Sequence, residues 1–177
     1  MDRNLGASQV ATSSTDAASY GDLYQWGRGA DGHQLRTSTT ASSLSSTNVP
    51  GIANFILSPD YPNDWLSPQN DNLWEGVNGI NNPCPAGYRI PTQAEWNEER
   101  ASWSSLDPAG AFASPLKFPQ AGLRDEGGSL SYVGSAGTYW SSTIGAAYAS
   151  SLLFSDDYAF MVDYYRAYGC CVRCIKD

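Results

Sequence analysis

Between residues 116 and 175 the chain alternates short aromatic and β-branched runs with glycine turns, and this alternation constrains the fold more than any other feature. The runs are 116–118, Leu123, 130–133, 139–141, 151–154 and 171–175. Short runs joined by turns predict an antiparallel β-meander, and two helices are expected ahead of it. In the first, 13–26, Ser14 or Thr15 is the N-cap and Asp16 meets the helix dipole. Tyr20, Leu23, Tyr24 and Trp26 then recur at near-helical spacing until Gly27 and Gly29 stop them. The second helix, within 89–103, opens on Pro91-Thr92-Gln93-Ala94-Glu95. There the Thr92 hydroxyl takes the Glu95 N–H while the Glu95 carboxylate reaches back, a capping box. Trp96, Arg100 and Trp103 follow on one side. The stretches 37–50 and 58–79, rich in Ser, Thr, Asn, Asp and Pro, read as long surface loops. The fold class is therefore α+β, two helices packed on a twisted antiparallel meander.

Length and charge narrow the function. At 177 residues, one domain covering 1–177 can bury about 70% of the surface its unfolded chain exposes. Only 16% of residues are charged, against 11 Tyr and 6 Trp, which argues against a helical bundle and for a loop-rich aromatic interior. A net charge of -8 argues against nucleic acid, whose phosphates require a basic footprint. No apolar run reaches the roughly 18 residues of a membrane span, and the N-terminus lacks the basic and apolar regions of a signal peptide. The chain is thus expected either to be part of something longer or to leave the cell by another route.

The cysteines are Cys84, Cys170, Cys171 and Cys174. The preferred reading is a Cys84–Cys174 bridge, closing a loop of about 90 residues and stabilising by up to roughly 4 kcal/mol. A metal site and a set of free thiols are the alternatives. Zinc knuckles need paired short spacings, and the lone His33 with isolated Cys84 offers no second knuckle. Cys170 and Cys171 are read as surface cysteines, free or in a vicinal disulfide.

Residues 144–171 have an unusual composition. They comprise Gly, Ala, Tyr, Ser, Leu, Phe, Asp, Val, Cys, Arg, Ile and a single Met, with no Lys, Glu, Gln or Trp. Codons whose third base is fixed as a pyrimidine, with the first two randomised, yield every one of these residues except Met161. The stretch lies between the rigid Gly137-Thr138-Tyr139-Trp140-Ser141-Ser142 and Val172-Arg173-Cys174. It reads as a diversified binding surface, in which Tyr supplies large amphipathic contacts with two torsions to freeze and Ser, Gly and Asp adapt their hydrogen bonds. The contact residues expected on it are Tyr148, Ser150, Leu153, Ser155, Tyr158, Phe160, Asp163, Tyr164, Tyr165 and Tyr168.

An ordered series of motifs carries a family resemblance: Asp2-Arg3-Asn4-Leu5-Gly6, Tyr24-Gln25-Trp26-Gly27-Arg28, Asp31-Gly32-His33-Gln34, Pro83-Cys84-Pro85-Ala86-Gly87-Tyr88-Arg89-Ile90-Pro91-Thr92, Ser131-Tyr132-Val133-Gly134, Tyr139-Trp140-Ser141-Ser142 and Val172-Arg173-Cys174. Together they resemble the "major paralogous domain" (FISUMP) family across nearly the whole chain. The resemblance implies a C-type-lectin-like fold of the formylglycine-generating-enzyme type, a branch shared with the variable proteins of diversity-generating retroelements. Mutation of template adenines there turns pyrimidine-ending Asn codons into the residue set above. It implies a fixed scaffold of Trp140, Leu152, Phe154, Arg166, Gly169, Val172 and Arg173, with Met161, and a location outside the cell, at a cell or virion surface. The partner expected is a protein or glycan, and no cofactor is expected.

Two readings compete with diversified recognition. One is a fixed adhesive or structural surface module of the same family. The other is an oxidase of the formylglycine-generating type, for which Cys170 and Cys174 would be the thiol pair. The calcium-lectin triplets Glu-Pro-Asn, Gln-Pro-Asp and Trp-Asn-Asp are absent, and Trp96-Asn97-Glu98 is a near miss on the capped helix. Asp156, Asp157 and Asp163 read as solvated or contact residues rather than a calcium site. His33 reads as structural, since no Ser or Cys nucleophile is arranged with it. The glycines of 27–32 read as a helix C-cap and turn, because the Lys-Ser/Thr of a phosphate loop is missing. Most Trp residues are expected in the core, with Trp65 and Trp74 as candidates for stacking on sugars.

Overall fold

A computed structural model describes residues 1–177. It is α+β, with strands β1 (Tyr24–Gln25), β2 (Thr40–Ala41), β3 (Phe55–Ile56), β4 (Tyr88–Arg89), β5 (Leu123–Arg124), β6 (Leu130–Ser131), β7 (Ala136–Gly145), β8 (Tyr148–Ser155), β9 (Tyr158–Tyr165), β10 (Gly169–Cys170) and β11 (Ile175–Lys176). Helices α1 (Gln93–Ala101) and α2 (Pro108–Ala113) lie between β4 and β5. Of the runs expected in one meander, 139–141 and 151–154 fall in β7 and β8, which with β9, not among those runs, make three consecutive antiparallel strands, whereas Leu123 and 130–131 pair in a separate sheet. Beside it, β1-β10-β5-β6 forms an antiparallel sheet of short strands, β11 pairs antiparallel with β4, and β2 pairs parallel with β3.

The capping box forms as read: the Glu95 N–H donates to Thr92 Oγ1, and the Thr92 N–H donates to Glu95 Oε2 at 2.8 Å. Arg89 grips the same carboxylate with two nitrogens at 2.7 and 2.8 Å and holds it down to about 2, so α1 is tied to β4. The buried face of α1 is Trp96, whose Nε1 donates to the Trp140 carbonyl on β7.

The helix expected over 13–26 is replaced by one 3-10 turn, Ala17–Ser19, and Tyr24–Gln25 is a strand. Its cap is Asp16, not Ser14 or Thr15, and the carboxylate accepts from Ala18 N, Thr12 N, Thr12 Oγ1 and Gln9 Nε2. Gly21, at φ +66°, ends the turn where the Leu5 carbonyl leaves no room for a Cβ. Tyr20, Leu23, Tyr24 and Trp26 are all buried, so the apolar residues that suggested a helical stripe reach the core from a 3-10 cap, a short strand and the turn after it. A helix not expected from the sequence, α2, starts at Asp107-Pro108: the Asp107 carboxylate accepts from Gly110 N at 2.8 Å and proline occupies the first turn. The run 116–118 forms a turn with Lys117 at φ +52°, and its Phe118 is buried. The glycines of 27–32 form a turn after a strand rather than a helix cap.

Two aromatic clusters meet along β7. One holds Trp26, Trp65, Trp74, Trp140 and Val172; the other holds Trp96, Trp103, Phe118, Tyr139 and Phe154 under the helices. The long 58–79 loop therefore folds inward. Trp65 and Trp74 are 0% and 1% exposed, with their indole N–H groups bonded to the Trp26 and Asn81 carbonyls, so neither is a sugar platform. Cys84 and Cys174 are disulfide-bonded. Cys170 and Cys171, expected at the surface, are free thiols buried at 0% exposure in the two clusters.

His33 is fully buried, its Nδ1 2.6 Å from Asp31 and its Nε2 accepting the Gln25 N–H at 3.0 Å. Burial pulls the imidazole down to about 4, with Asp31 opposing. A folded value below the unfolded one of about 6.5 means that the stability is complete above that pH and is lost as pH falls toward 4. The loss is on the order of 3 kcal/mol. A melting-temperature profile from pH 7 to 4 should show this decline, and H33Q should lack that portion of it. Parallel profiles would refute the assignment.

Candidate functional site

The ten expected contact residues lie on β8, on β9 and in the turn after β9, but not on one face. Strand pairing sets the division, because residues opposite one another in register share a face and alternate residues change face. Leu153 pairs with Phe160, and Ser155 with Tyr158. Ala149 and Tyr164 pair on that same face, nearer Trp140. The opposite face carries Leu152 with Met161 and Phe154 with Ala159 beneath the helices, and, beyond them, Tyr148 with Tyr165 and Ser150 with Asp163.

The first face is an aromatic surface. Tyr158 and Phe160 are 39% and 40% exposed, with ring centroids 5.2 Å apart. Tyr164 stacks on Tyr168 at 5.2 Å and meets Trp140 edge-on at 6.5 Å, so it is half buried and belongs partly to the core. Burial raises both the Tyr164 and Tyr168 hydroxyls, and Glu126 beside Tyr168 raises the latter further. Tyr132, held at φ +57° and 64% exposed, faces the strands across a groove of about 250 Å³. Leu153, Tyr158, Tyr164 and Asp156 line the same groove. Tyr132 precedes the unusual run and was not among the expected contact residues; an aromatic two residues before Gly134 was the available signal.

On the other face, the Tyr148 and Tyr165 rings lie tilted at 4.7 Å with their hydroxyls 3.3 Å apart, and Asp163 is exposed beside them. Ser150 and Ser155 are not displayed. They are 3% and 8% exposed; Ser155 Oγ donates to the Ser135 carbonyl, whereas Ser150 Oγ has no partner. Asp156 and Asp157 sit in the β8–β9 turn and Asp163 well along β9, so the three carboxylates do not converge.

All of the expected scaffold residues except Met161 are buried. The Arg166 guanidinium lies over Trp26 at 4.9 Å and donates to Asp71 and to the Ala146 carbonyl. Arg173 joins the chain's beginning to its end through Asn4 Oδ1 and the Leu116 carbonyl.

No protein-family model, curated protein or solved structure matches this chain. No helix is long and apolar enough to cross a membrane.

These placements separate the tyrosines by stability. Tyr164→Ala removes a ring wedged between Trp140 and Tyr168 and should cost about 2 to 3 kcal/mol, against the nearly unchanged melting temperature that outward display implied. Tyr158→Ala should stay within about 1 kcal/mol. Urea unfolding of the two variants checks the order, and equal costs would mean that the core boundary is misplaced.

Proposed function

We propose that this chain is a non-enzymatic recognition domain, a C-type-lectin-like scaffold displaying retroelement-diversified residues to a protein or glycan outside the cell. The observation that carries the reading is the segregation within 140–174. Trp140, Leu152, Phe154, Arg166, Gly169, Val172 and Arg173 are buried, while Tyr158, Phe160 and Asp163 are exposed and Tyr148, Leu153, Tyr164, Tyr165 and Tyr168 are partly so. Its exposed positions, Tyr158, Phe160 and Asp163, tolerate substitution, because outward changes usually cost within about 0.5 kcal/mol. The recognition surface centres on Leu153, Tyr158, Phe160, Tyr164 and Tyr168, with Tyr148, Asp163 and Tyr165 as a second patch.

The disulfide suits an oxidising compartment. It also occupies Cys174, so Cys170 and Cys174 do not form the free thiol pair that an oxidase of this fold would use, and Cys170 is enclosed. The locus tests the reading against a fixed adhesive module. A near-copy of the 3′ coding bases with adenines at the variable positions, beside a reverse transcriptase gene, is the expected finding. Absence of both leaves the fixed module.

A further inference from the structure

The aromatic groove has a charge character that narrows its occupant. Its mouth continues into a second depression of about 490 Å³ that shares Ser135 and Asp156 with it. The lining of the two includes the carboxylates of Asp156 and Asp107 and no Lys, Arg or His. Asp157 is exposed next to Asp156, and Glu126 lies at the Tyr168 hydroxyl on the far side. Arg100 reaches β9 from the helix side and is committed there, donating to the Ala159 carbonyl and Asn97. Tyrosine rings bordered by carboxylates that make no salt bridge attract a cation twice, through the ring face and through charge.

We infer that the groove between Tyr132 and the β8–β9 strands takes an arginine- or lysine-bearing segment of a basic protein partner, its cationic head over Tyr158 and Tyr132 and neutralised by Asp156 and Asp157. This rests on the recognition reading above and specifies its ligand. An anionic glycan would meet repulsion from the same carboxylates. A neutral sugar would find few side chains able to grip paired hydroxyls, since Tyr, Leu, Ala and Ser make up most of the wall. An arginine fork, weakly hydrated and planar, both stacks and pairs with carboxylate, so it suits the wall and the rim together.

The test titrates the protein with capped tetra-arginine, with capped tetra-citrulline as its uncharged isostere, and with maltotetraose, following the aromatic NMR signals of Tyr132, Tyr158, Phe160 and Tyr164. Tetra-arginine should move those rings and citrulline should not. The D156N/D157N variant should weaken binding about tenfold, whereas E75Q, at a residue lining neither depression, should change it by less than about twofold. The inference is overturned if E75Q weakens binding as much as D156N/D157N, if citrulline binds as well as arginine, or if maltotetraose alone moves the rings. In the last case the face remains a recognition surface for a different ligand. Rings unmoved by every probe, with no binder selected from a library randomised at Leu153, Tyr158 and Phe160, would overturn the recognition reading as well.

Discussion

Cys84→Ser is expected to lower the melting temperature by about 10 to 15 °C under oxidising conditions. The bridge joins residues 90 apart, and closing such a loop in the unfolded chain is worth about 4 to 5 kcal/mol in the chain-entropy model. The bond also ties the loop before β4 to the strand that pairs with it, because β11 lies antiparallel to β4 through Ile175–Arg89 and Lys176–Tyr88. Cys170→Ser provides the contrast. The thiol is fully buried within β10, and burial raises its pKa, so a hydroxyl there should cost about 1 to 3 kcal/mol. Surface placement of Cys170 would have made the change nearly silent. Thermal melts of both variants, with and without reductant, decide the matter. Equal small shifts, or a C84S melt indistinguishable from wild type, would contradict the role given to the bridge.

Trp140→Ala is the second large effect, expected to cost about 5 kcal/mol. The ring is 0% exposed and stands where the two clusters meet. Its Nε1 donates to the Tyr24 carbonyl at 2.7 Å, joining the meander to β1. Its backbone N–H donates to the Cys171 carbonyl, and its own carbonyl accepts the Trp96 indole N–H. Truncation leaves a large cavity and takes a hydrogen-bond donor from the Tyr24 carbonyl. Trp140→Phe keeps most of the volume and loses the hydrogen bond, so it should cost about 1 to 3 kcal/mol. Urea denaturation of the pair separates packing from hydrogen bonding. An alanine variant within about 1 kcal/mol of wild type would mean that Trp140 is not the joint between the clusters.

Much of the frame was legible because its signals are local. The capping box at Thr92 and Glu95 depends on two residues three apart, and the bridge on the isolation of Cys84. The 13–26 helix failed because spacing alone cannot tell a helical stripe from an extended segment buried on both sides, as Tyr24 and Gln25 are. Gly21 and the Asp16 carboxylate decided that contest, and neither showed its partners in the sequence. Helix α2 was missed although Asp107-Pro108 is a good helix start, since Pro108–Ala113 is too short to show periodicity. Strand β9 was obscured because both of its faces carry aromatics, leaving no apolar and polar alternation. The display residues were chosen by chemistry rather than by face. That choice admitted Ser150 and Ser155, whose burial depends on their partners across the sheet.

Deep sequencing of the codons for 144–171 in a population carrying this gene tests the central claim most directly. The account predicts amino-acid variation in pyrimidine-ending codons at Leu153, Tyr158, Phe160 and Asp163, with Trp140, Leu152, Phe154, Arg166, Val172 and Arg173 unchanged. Codons that are invariant, or that vary only synonymously across the exposed face, would contradict diversified recognition and leave a fixed surface module.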